Sequence, residues 1–192
     1  LQPFIPAHLR HGAIAGHADD PYHFNSIGWT GRPQGGGPQG GSLLVLAHNW
    51  GDSFALELGC LLDARGPKPV GLTAVHEALG RAAHDVACID DTLFVLDGAG
   101  GRLIARGATE RRSALPRHPS PVFARGLAIT DTDVLVTYGF WSSEAFNRIR
   151  TPTRLCVLDR GTLTPVLDAD LGTHGNSTDV RVTSEADHCD AG

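Results

Sequence analysis

The chain has 192 residues, enough for one sizeable core, and its 41% apolar and 19% charged residues describe an ordinary globular protein. A net charge of −5 with no basic stripe speaks against nucleic acid or an anionic membrane surface as a partner. No run approaches about 18 apolar residues and no basic-then-apolar start is present, so the expected location is cytoplasmic. The sequence contains no Met, from which we expect a processed chain or part of a longer one.

Taken in order, residues 1–22 hold three prolines and no clean period, and read as an arm or an incomplete strand. Asn25–Trp29 opens a first strand, and the Gly/Pro/Gln-rich run 30–41 reads as a surface loop. Apolar strands follow at 42–48 and 53–58, with a weaker one at 69–75. Residues 84–89, 92–96 and 102–105 form a meander whose turns are Asp90-Asp91 and the Gly-rich run 97–101. A poor outer strand is expected within 108–116. The same pattern returns at 123–129, 133–138, 153–158 and 164–171, with a long insertion at 140–152. A further strand opens at 178–183. The cysteines show no CxxC spacing, and Cys88 and Cys156 in strands read as buried free thiols.

The repeat decides the fold class. Ile27, Val86, Leu127 and Val180 align, with spacings of 59, 41 and 53 residues. A four-stranded propeller blade takes roughly 40–50 residues, and loops absorb the excess. The expectation is all-β: β-propeller-type repeats of four-stranded antiparallel meanders over 23–192, about three blades plus part of a fourth. No linker is long and periodic enough for the helices of an α/β fold. The strand starts HDV, ARGLA and TDVRV, each but the last followed by an LxVxD/G-type second strand, resemble a divergent bacterial propeller family of unassigned role. The resemblance spans about residues 23–183. It implies a ring of five to seven blades, of which this chain would be a fragment.

A polar pair precedes each aligned apolar position: Asn25-Ser26, His84-Asp85, Arg125-Gly126 and Thr178-Asp179. At the start of innermost strands such pairs converge on one rim. The ends of the second strands add His48, Asn49, Trp50 and Asp52, then Asp97 and Tyr138, with Trp141, Asn147 and Arg148 from the insertion. Rings beside Asn, Asp and Arg suit a small polar or acidic ligand, such as a sugar, whose face stacks and whose hydroxyls or carboxylate bond. Ligand binding is therefore expected from Asn25, His48, Asn49, Asp97, Arg125 and Tyr138. The alternative is a hydrolase or lyase with His84 as general base, oriented by Asp179 or Asp97, and Arg125 holding a substrate anion. No cofactor is assigned. Calcium is the alternative at Asn25, Asp85 and Asp179, which offer oxygen ligands. A four-His iron site is not met, because only His84 among the rim positions is histidine. His17-x-Asp19 with His174 matches a two-His-one-carboxylate spacing only weakly.

Overall fold

The computed structural model describes residues 5, 7–9, 23–30, 41–48, 52–59, 62–63, 66–67, 71–118, 120–142, 150–173, 177 and 179–183. Their regular structure is β-strand, apart from a single 3-10 turn at Ala7–Leu9. Strand β1 is His23–Trp29, β2 Leu43–His48, β3 Ser53–Leu58, β4 Leu62–Asp63, β5 Gly66–Pro67, β6 Leu72–His76 and β7 His84–Ile89. The chain continues with β8 Thr92–Asp97, β9 Arg102–Arg106, β10 Glu110–Ala114, β11 Val122–Ile129, β12 Asp133–Phe140, β13 Arg154–Asp159 and β14 Pro165–Asp170.

These strands make three four-stranded antiparallel sheets, ordered β1-β2-β3-β6, β7-β8-β9-β10 and β11-β12-β13-β14. The short β4 and β5 pair with each other as a ribbon between β3 and β6. Local chemistry sets the turns. Asp90 and Asp91 take φ of 50° and 57°, the double left-handed geometry that matches a two-residue hairpin to strand twist. The outer strands β10 (ERRSA) and β14 (PVLDAD) are largely exposed, which explains their faint apolar signal.

The sheets stack through their faces. Leu44, Leu46 and Ala55 of the first sheet pack with Val86, Leu93 and Val95 of the second. Phe94, Leu96 and Leu103 of the second pack with Ala124, Val134 and Val136 of the third. A further cluster on the first sheet, around Phe54 and Leu56, is covered by Ile5, with Leu9 packed beside it. Ile5 and Leu9 thus cap a sheet face. The first strand of each sheet lies innermost, and β7 touches β1 on one side and β11 on the other.

Two expectations are corrected here. Residues 179–183 form no strand, and Thr178 lies outside the described residues. The stretch instead lies against β11, with backbone atoms of Asp179 and Val180 at 3.0 and 3.2 Å from where a Cβ on Gly126 would stand. Ile27, aligned with the buried Val86, is 69% exposed, because no described sheet packs on that side of it. Cys88 and Cys156 form no disulfide among the described residues; Cys156 is buried as its strand position suggested, Cys88 is only half-buried, and burial pushes the Cys156 thiol up to about 11.

Candidate functional site

Each innermost strand carries a register break within one residue of the same aligned point: between Phe24 and Ser26, between His84 and Val86, and between Ala124 and Gly126, leaving out Asn25, Asp85 and Arg125. A bulge leaves one residue out of the ladder and re-aims side chains. The polar pairs of the sequence sit at these breaks, and the two members of each pair go separate ways. Ser26 Oγ accepts a hydrogen bond from Val86 N at 3.2 Å. Asp85 Oδ2 accepts one from Leu127 N at 2.9 Å. The second member of the pair therefore ties its strand to the next sheet. At Gly126 the device lapses, and the Thr137 hydroxyl fills the space a side chain would need, buried and without a hydrogen bond.

The first members build the site. Asn25 Nδ2 donates to the Ala83 carbonyl at 2.8 Å and lies 3.1 Å from His84 Nδ1. A carbonyl can only accept, so the amide nitrogen must face it, and Nδ1 of His84 is then the acceptor. Neutral His84 consequently carries its proton on Nε2. Burial first, then the positive Arg125 and the neighbouring His48 and His23, hold His84 down to about 3. It is an uncharged imidazole across the physiological range. Asn25 Oδ1 is buried and accepts no hydrogen bond among the described residues.

Rings join these groups into one line across all three sheets. The centroids of His23 and His48 are 5.0 Å apart, His48 and His84 5.8 Å, His84 and Phe123 5.2 Å edge-on, and Phe123 and Trp141 4.9 Å. The Arg125 guanidinium carbon lies 5.1 Å from the Phe123 centroid, in cation–π range. The line therefore offers a neutral N–H donor, a buried amide acceptor and a guanidinium.

Of the residues expected at the rim, Asn25, His48, His84 and Arg125 come together. Asn49, Trp50, Asn147 and Arg148 lie outside the described residues, as do His17, Asp19 and His174. Asp97 does not join them. It is 1% exposed and accepts from Arg81 N, Gly100 N and Arg102 Nε at 2.9, 2.9 and 2.6 Å. Gly80 and Gly100 wall it in so closely that neither tolerates a Cβ. It is the internal cap of the β8–β9 turn. Tyr138 is likewise corrected. Its hydroxyl donates to Asp168 Oδ1 at 2.8 Å and accepts from Arg154 Nε at 3.0 Å, locking β12, β13 and β14 together.

Asp179 lies on the side of the tying residues: its carboxylate takes Arg181 Nε at 2.8 Å and adds to the negative field on Asp85. Burial, helped by Asp179, raises Asp85 to about 6 against the opposing bonds from Leu127 and Ser26. Asp179 turns to Arg181 and Asp97 to Arg102, so among the described residues neither carboxylate bonds to His84. Calcium also lacks a cage. Asn25 turns to His84 while Asp85 turns to Leu127, and among the described residues no three His, Cys, Asp or Glu groups gather around a point.

His23 and Phe123 escaped the sequence reading. Both sit at the entrance to innermost strands, two residues ahead of the first member of the polar pair, and a ring at that offset was the available signal. A larger cleft of about 480 Å³ opens between the first two sheets, away from this line. Its charged groups neutralise one another: His76 pairs with Glu57, and Arg106 with Glu110. No family model, curated protein or solved structure matches the chain.

Proposed function

We propose that the three sheets are blades of a propeller and that the chain binds a small acidic, hydroxyl-bearing ligand at the line of Asn25, His84 and Arg125. The blade reading is supported by the shared bulge on β1, β7 and β11 and by the side-chain ties from each innermost strand to the next. It agrees with the family resemblance of the strand starts.

The observation that carries the binding reading is the neutral His84, whose Nε2–H meets no hydrogen-bond partner among the described residues, beside the buried acceptor Asn25 Oδ1 and the guanidinium of Arg125. A buried amide oxygen without a partner is costly, and a ligand hydroxyl supplies the missing donor. The carboxylate of the same ligand suits the planar guanidinium fork.

Calorimetric titration with glucuronate and with glucose, its neutral counterpart, tests the reading. Glucuronate should bind in preference to glucose, and Arg125→Ala should abolish that binding while the melting temperature holds. If Arg125→Ala lowers melting and weakens binding only in proportion, Arg125 is structural and the reading fails.

A further inference from the structure

Beside this line lies a separate cavity of about 290 Å³, bounded by Arg81, Ala82, Pro121, Val122, Phe123 and Trp141. It shares the rings of Phe123 and Trp141 with the line described above and none of its polar groups. Its walls are almost wholly apolar, and two of them are rings tilted at 48° with centroids 4.9 Å apart. At about 30 Å³ per water, the space equals about ten waters, the size of a single substituted ring.

One wall is charged. Arg81 is held by its backbone, whose N–H donates to Asp97 Oδ1 at 2.9 Å and whose carbonyl accepts from Ala99 N at 3.0 Å. Its guanidinium makes no ion pair among the described residues. Asp97, the carboxylate its own backbone reaches, already takes Arg102 Nε at 2.6 Å. Arg125 lies against the Phe123 ring and adds a second positive charge near the cavity. An apolar slot with aromatic walls, lined by an arginine that pairs with no carboxylate among the described residues, is a poor place for water or for a cation. It is a good place for a flat ring that bears a carboxylate.

We propose that this cavity is a binding site for a small aromatic acid. The ring lies against Phe123 and Trp141, where offset and edge-on contacts are favourable, and the carboxylate takes the two-pronged face of Arg81. The site does not depend on the binding reading of the Asn25–His84–Arg125 line.

Benzoate, benzamide and benzylamine, titrated separately by calorimetry, read the charge preference at constant ring size. Benzoate should bind saturably, benzamide at least about tenfold more weakly, and benzylamine not at all. Arg81→Gln should bring benzoate down to the benzamide level, and Trp141→Ala should weaken both together. Asn25→Ala, which alters the neighbouring line, should leave benzoate affinity unchanged. Melting curves of each variant establish that it is folded, and Arg81 is exposed enough for its substitution to be silent there. The proposal is overturned by equal affinities for benzoate and benzamide, by no saturable benzoate binding, or by an Arg81→Gln variant that still prefers the acid. Benzoate binding that survives Arg125→Ala while glucuronate binding does not would distinguish the two sites.

Discussion

His84 and Asp85 are chain neighbours that respond to acid in opposite ways. His84 is held at about 3, below its ordinary 6.5, so the unfolded chain takes that proton first. Its contribution is present above 6.5 and is lost as pH falls towards 3. Asp85 is raised from 3.8 to about 6, so the folded chain holds its proton more firmly. That contribution is present below 3.8 and is lost as pH rises through 6. Between these limits the two effects offset, and the unaltered protein should show a shallow acid dependence. Asp85→Asn keeps an oxygen for Leu127 N–H and tolerates the φ of 51°. It should be more stable than the unaltered protein at about pH 8, with the gap closing by about pH 4. Denaturation midpoints at both values check this; a gap that does not change with pH would refute it. His84→Gln should do the reverse and gain its advantage only in acid.

At the scale of elements, the innermost strands share a pattern but not a burial. Val86 is 6% exposed within the core between the first two sheets, whereas Ile27 is 69% exposed. Val86→Ala should cost about 1–4 kcal/mol through lost burial and a cavity. Ile27→Ala should stay within about 0.5 kcal/mol, as for surface positions. Equal costs, measured by urea denaturation, would mean that Ile27 is covered in solution. The contrast also marks how far the sequence could be read. Apolar runs between Asp/Gly turns located β7, β8 and β9 almost to the residue, because β8 and β9 are buried and β7 sets Val86 in the core. It blurred β10 and β14, whose faces meet solvent. The polar pairs at 25, 84 and 125 were legible as a recurring exception to apolar strand starts. Their division into ties and site residues was not, because it depends on a bulge, and a bulge is a matter of pairing rather than of composition. Asp97 and Tyr138 misled for a related reason. Only their partners, Arg102 in one case and Asp168 in the other, show that their polar groups face inward and are satisfied.

For the molecule as a whole, stability is layered. The second sheet packs on both faces, against Leu44 and Leu46 on one side and Val134 and Val136 on the other. The third sheet ends in β14, where Val166 and Leu167 are 62% and 51% exposed. Opening should therefore begin at the outer strands and reach the middle sheet last. Amide hydrogen exchange should be slowest in β8, at Val95 and Leu96, and fastest among strand amides in β14. Comparable protection in the two strands would show that the three sheets open as one unit. Ties at the far end work in the same sense, since Arg160 of the third sheet reaches Asp90 of the second at 2.7 Å.

The separation of each polar pair at its bulge bears on how such a chain can change over generations. Duplicating one meander copies a tie and a site position together, but selection need hold only the tie for the array to keep folding. Asn25, His84 and Arg125 are three different chemistries at one repeated address, while Ser26 and Asp85 perform the same task at the next. A lineage can thus rewrite what it recognises, one copy at a time, without renegotiating how its copies adhere.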